Sequence, residues 1–75
     1  MSIDLTAAAQ TARNLPPRQR EVLACVSAGL LVKETADRLH ISESTVRNTR
    51  SVIYMKLRVS NAVEAARVAF TAGIL

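Results

Sequence analysis

Four hydrogen-bonding residues, Ser44, Arg47, Asn48 and Ser51, recur at spacings of three and four within one stretch of the 75-residue chain. That spacing places them on one side of a helix. Val46, Ile53 and Leu57 fall within about 40° of one another on the opposite side, the narrow apolar stripe of a helix packed on a small core. The polar four lie in the first two to three turns, the part of a recognition helix that meets base edges when it enters a DNA major groove. The chemistry available to them is hydrogen bonding rather than bond making. No nucleophile, base and orienting group can be proposed together, so an enzyme is not expected.

Charge supports a polyanionic partner through its distribution more than its sum. The net charge is +4, and from Ser44 to Val63 there are four basic residues (Arg47, Arg50, Lys56, Arg58) and no acid. The acids Glu21, Glu34, Asp37 and Glu43 are spread through the preceding half, so positive potential is focused on the stretch 42–57 and its exit. Seventy-five residues allow one small domain, in which helical packing efficiency or dimerisation contributes to stability. With one cysteine, Cys25, and one histidine, His40, there is neither a disulfide framework nor an ordinary zinc site, and no metal or cofactor is expected. Cys25 reads as a small semi-buried hydrophobe. The apolar runs are short and the N-terminus has no basic region, so neither a membrane span nor a signal peptide is read. The expectation is a cytoplasmic protein.

The elements that must position the polar four follow from caps and breaks. Residues 2–14 have helix propensity, with Ser2 or Asp4 as cap and Leu5, Ala8, Ala9 and Ala12 on one face. They form either a short helix lying across the domain or a frayed extension. Leu15-Pro16-Pro17 breaks this segment, and Pro17 suits the first turn of a new helix to about Ala28, with Val22, Leu23 and Val26 inward and Gly29 as its stop. A short helix from Val32 or Lys33 to Leu39 follows, with Thr35, Ala36 and Leu39 as inner positions. In the link His40-Ile41-Ser42, Ile41 plugs the core, Ser42 caps the next helix, and His40 is a turn residue or the neighbour of a phosphate. Two helices joined by so tight a turn, the second cationic outside, make the helix-turn-helix pattern. That second helix ends near Leu57 or Arg58. Asn61 with Glu64 then forms a weaker capping box for a last helix from Ala62 to about Ala72. Its expected inner face is Ala62, Ala65, Ala66 and Ala69, with Glu64, Arg67 and Thr71 pointing away. Val63 and Phe70 share a flank that either joins the core or pairs with a second copy.

From Leu15 to Leu75 these residues resemble the DNA-binding domain of LuxR-type (GerE-like) regulators. The resemblance rests on Leu15, Arg18, Glu21-Val22-Leu23, Gly29-Leu30, Lys33-Glu34, Ala36, Leu39, Ile41-Ser42 and Thr45-Val46, continuing through Ile53, Lys56-Leu57, Val59, Glu64-Ala65 and the terminal Gly-Ile-Leu. It implies an all-α fold: a four-helix helix-turn-helix domain over 15–75 with a short N-terminal helical extension over 1–14. It also implies a sequence-specific DNA-binding transcriptional regulator of bacterial type, a homodimer on a two-fold site, at the nucleoid when bound. The family's base-contacting places fall on Arg47, Asn48 and Ser51, with Ser44 on the same face. Arg47 suits the O6 and N7 of guanine and Asn48 the N6 and N7 of adenine. Thr45, Thr49, Arg50, Lys56 and Lys33 are expected on phosphates, where they set register. For Arg50 a structural ion pair is the alternative. Val63, Arg67 and Phe70 are the expected dimer contacts.

Departures from the family pattern modify these expectations. Pro16 and Gln19 stand where a capping threonine and glutamate are usual, Thr49 where histidine is frequent, and Arg58 where a cap glycine is. Leu31-Val32 replace a polar pair, and Val52 and Met55 replace residues that are often polar. With 49% of residues hydrophobic, Leu31, Val32, Val52 and Met55 are candidates for contact with a protein. The alternative function is therefore an interaction module that modulates another regulator, a sigma factor or RNA polymerase. Met1 and the family-like C-terminus suggest a complete small protein.

Overall fold

The structure, a computed structural model, describes residues 3–75; the candidate cap Ser2 lies outside the described residues. Among these the fold is all-α, with α1 (Leu5–Arg13), α2 (Pro17–Ser27), α3 (Val32–Leu39), α4 (Glu43–Leu57) and α5 (Ala62–Ala72). None of the described helices is long and apolar enough to cross a membrane.

Caps fix where each helix begins. The Asp4 carboxylate accepts from the Ala7 N–H at 3.1 Å, the Ser42 hydroxyl from Thr45 at 3.0 Å and the Asn61 side-chain carbonyl from Glu64 at 2.9 Å. Each satisfies an amide that the helix cannot. The Glu64 carboxylate returns to the N–H of Ser60 at 2.7 Å, one residue upstream of the cap, so the box is offset rather than reciprocal. Pro16 caps α2 with no side-chain bond, and its helix starts on Pro17, whose missing N–H is an orphan there in any case. At α3 the cap residue is Leu31, which has no side-chain oxygen. Only the Glu34 half of a box is present, accepting from the Leu31 N–H at 2.8 Å.

The ends are equally regular. Helices α2 to α5 all stop at a left-handed residue: Gly29, His40, Arg58 and Gly73. The next amide bonds back to the last turn in each, as Val59 does to the Tyr54 carbonyl at 3.0 Å. Two of the four are not glycine, and for them the left-handed conformation is a strain that the tight exit requires.

The core joins Ala8, Ala12, Leu15, Val22, Leu23, Ile53, Leu57, Val59, Ala65, Val68 and Ala69. Helix α1 is therefore docked, with Ala9 and Ala12 buried, and it packs chiefly against α5. The inner face of α5 differs from the expected alanine stripe. Val68 is fully buried with Ala65 and Ala69, whereas Ala62 is exposed and Ala66 half-buried. The stripe at 65, 68, 69 and 72 faces α1 and α2 together, a rotation that alanines alone could not specify. Ile41 is half-buried and stands outside the main core rather than plugging it.

Three arginines hold helix ends together. Arg13 donates to the Ala72 and Thr71 carbonyls at 3.3 and 3.5 Å, Arg20 to the Arg13 carbonyl at 3.2 Å, and Arg18 to the Leu39 carbonyl at 3.3 Å. Each places a cation at the negative end of a neighbouring helix. A share of the positive charge is thus committed to the fold.

Candidate nucleic-acid interface

Helix α4 is anchored by Val46, Ile53 and Leu57, all buried, and follows the three-residue turn after α3. Its 15 residues rise about 22 Å at 1.5 Å each. Ser44, Arg47, Asn48 and Ser51 are all exposed on the opposite side. From Ser44 to Ser51 this ridge rises about 10 Å, close to the width of about 12 Å that a B-DNA major groove offers.

The side chains on the ridge are differently prepared. Arg47 bonds Glu43 one turn back at 3.3 Å, an exposed pair that solvent screens and that a stronger acceptor can displace. Glu43 was absent from the sequence expectation for this face, although an acid four residues before an arginine is the ordinary signal for such a pair. The Ser51 hydroxyl donates to the Arg47 carbonyl at 3.1 Å, leaving its lone pairs outward. Asn48 is exposed with its amide and carbonyl available.

The expected phosphate group divides. Thr45 is exposed, and its hydroxyl accepts from that of Ser42 at 2.8 Å. Thr49 and Arg50 are half-buried on the shoulders of the helix. Arg50 forms no ion pair among the described residues; it lies by Tyr54, whose hydroxyl is raised above its ordinary pKa by burial and partly lowered by the Arg50 charge. Lys56 donates to the side chain of Gln19 at 2.8 Å, tying the end of α4 to α2. Lys33 is exposed in the first turn of α3.

Exposed apolar groups form two further features. Val63 and Phe70 are 72% and 74% exposed, so the flank of α5 is surface rather than core. With Leu5, Ala66, Arg67, Thr71 and Leu75 they line a groove of about 480 Å³. Leu5 was not legible as a member, because α1 meets α5 only through tertiary packing, and Leu75 joins where the chain turns back on α5 after Gly73. Met55 (76%) and Leu31 (70%) are strongly exposed and Val52 (39%) less so, while Val32 is half-buried.

The family model GerE, bacterial regulatory proteins of the luxR family, matches residues 13–69. Over 54 residues the chain is 46% identical to the transcriptional regulatory protein DesR of Bacillus subtilis, covering 72% of this chain and 27% of DesR. It is 38% identical over 71 residues to the response regulator RamR of Streptomyces coelicolor, covering 92% of this chain and 35% of RamR. Similarity to the HTH-type transcriptional regulator AlkS of Alcanivorax borkumensis is 41% over 58 residues, covering 77% of this chain and 7% of AlkS. The chain thus spans about a third or less of the length of these relatives.

Proposed function

Because the chain belongs to the luxR family of bacterial regulatory proteins and carries its helix-turn-helix DNA-binding domain, we propose that it is a sequence-specific transcriptional regulator that binds duplex DNA as a homodimer. The observation that carries this reading is the exposed ridge Ser44, Arg47, Asn48 and Ser51 on a helix capped and anchored independently of it. In the major groove, Arg47 leaves Glu43 to fork onto guanine, Asn48 pairs with adenine, and Ser44 and Ser51 supply single bonds. Thr45, Thr49, Arg50, Lys56 and Lys33 flank the ridge and hold phosphates, setting register. Val63, Arg67 and Phe70 join the two copies so that two α4 helices meet successive major grooves. Acting on the chromosome, the protein works in the cytoplasm, at the nucleoid when bound.

Selection from a random duplex pool, followed by binding at several salt concentrations, tests this. The expected result is a two-fold-related site whose affinity falls steeply with salt, with base discrimination weakened by Arg47→Ala or Asn48→Ala. No duplex preference at moderate salt would overturn it.

A second reading has its own observation, the exposure of Met55 and Leu31. An apolar end on a cationic helix suits contact with another regulator, a sigma factor or RNA polymerase. A stoichiometric partner lost on Met55→Glu, with DNA binding kept, favours this role; retention of that partner removes Met55 from it.

A further inference from the structure

We propose that the N-terminal helix α1 is part of the self-association surface, and that the groove it forms with α5 and the C-terminus is filled by the α5 flank of a second copy. The proposal rests on the homodimer reading above and names what completes that interface. Nearly all of α1 precedes the part of the chain that the family model matches, 13–69.

The groove has one wall from α5 (Val63, Ala66, Arg67 and Phe70), one from α1 (Leu5) and a closing residue, Leu75. Its shape is fixed. Helix α1 packs chiefly against α5, and small residues are buried on both helices: Ala9 and Ala12 on one, Ala65 and Ala69 on the other. The Arg13 guanidinium then locks the end of α1 to the Thr71 and Ala72 carbonyls. Leu5 is half-buried against the core, so this wall is held by the fold itself.

Area argues that α5 alone is not enough. A stable specific interface buries about 800 Å² on each partner. Val63 and Phe70 together offer roughly 250–300 Å² of side chain. Ala66 and the stem of Arg67 add to the α5 share, and Leu5 of α1 with Leu75 widens the patch beyond that helix toward the low end of stable interfaces.

The surface is also its own complement. Val63 and Phe70 project two turns apart on the same ridge, and the groove lies beside them. Under a two-fold axis each copy's ridge enters the other's groove, the isologous arrangement that closes as a dimer. Arg67 stands between the two projecting groups with no acidic side chain in the lining. A second copy brings it the face of Phe70, which a guanidinium covers favourably.

Sedimentation equilibrium of the full chain tests this, with Leu75→Asp, Leu5→Ser and Val63→Asp beside the wild type and thermal melting to report the fold. The wild type is expected to be dimeric and Val63→Asp monomeric. Leu75→Asp and Leu5→Ser should each weaken the dimer about ten-fold or more. Leu75→Asp should melt as the wild type does, since Leu75 is outside the core, and it tests the closing end of the groove; Leu5→Ala, which keeps an apolar side chain, repeats the α1 test if Leu5→Ser is destabilised, and an unweakened Leu5→Ala dimer overturns the role of α1. A dimer lost only in Val63→Asp, with Leu5→Ser and Leu75→Asp unchanged, overturns the role of α1 and leaves the homodimer reading standing. A wild type that stays monomeric at high micromolar concentration, with or without its selected DNA, overturns both.

Discussion

Helices α4 and α5 are built alike on the inside and differently on the outside. Each starts from a side-chain cap, Ser42 or Asn61, and each ends at a left-handed residue, Arg58 or Gly73. Each buries a stripe, Val46, Ile53 and Leu57 in one and Ala65, Val68 and Ala69 in the other, and all of these but Val46 join the shared core. The outer stripe of α4 presents Ser44, Arg47, Asn48 and Ser51, and that of α5 presents Val63, Arg67 and Phe70. The fold requires neither outer stripe. Polar groups held at fixed spacing suit a hydrated, patterned polyanion, whereas apolar groups left exposed suit a surface that removes them from water.

Phe70→Asp is the largest expected disturbance of this contrast. It should leave folding nearly unchanged because Phe70 is exposed, yet prevent self-association. Affinity for a two-fold site should fall about 100-fold or more as the linked second half-site is lost. Titration of a selected duplex checks it, and unchanged affinity would dissolve the division between the two faces. Arg47→Ala should come next, costing about 1–3 kcal/mol of discrimination at each half-site while the dimer persists. Binding to base-substituted duplexes reads this; a uniform loss across sequences would make Arg47 a phosphate contact. Ser42→Ala should cost about 1 kcal/mol of stability by removing the Thr45 cap, lowering the melting temperature by about 4–8 °C. Arg58→Gly should have the smallest effect and the opposite sign. It relieves a left-handed arginine at φ 58° and should add about 0.5–1 kcal/mol in chemical denaturation.

Much of the fold was legible because its signals are local. Ser42 and Asn61 are where caps were expected, Pro17 opens α2, and Gly29 stops it. The outer ridge of α4 followed from the position of Val46, Ile53 and Leu57, since fixing one side of a helix fixes the other. Helix α5 was harder. Its many small apolar residues give no sharp stripe, and only packing against α1 and α2 together selects Val68 over Ala62 and Ala66. Thr35 shows a different limit: it is fully buried with its hydroxyl unpartnered among the described residues, and nothing in its sequence neighbours announces that cost.

The sequence by itself determined the helices, their caps and stops, and the polar ridge, because each depends on residues within about two turns of one another. Only the tertiary structure decided that α1 is docked, that Arg13, Arg18 and Arg20 close helix ends, and that Leu5 and Leu75 share a groove with Val63 and Phe70. Those outcomes depend on groups as far as 70 positions apart (Leu5 to Leu75). Chain periodicity carries no information about such separations; the closeness that alanine faces permit brings the groups together.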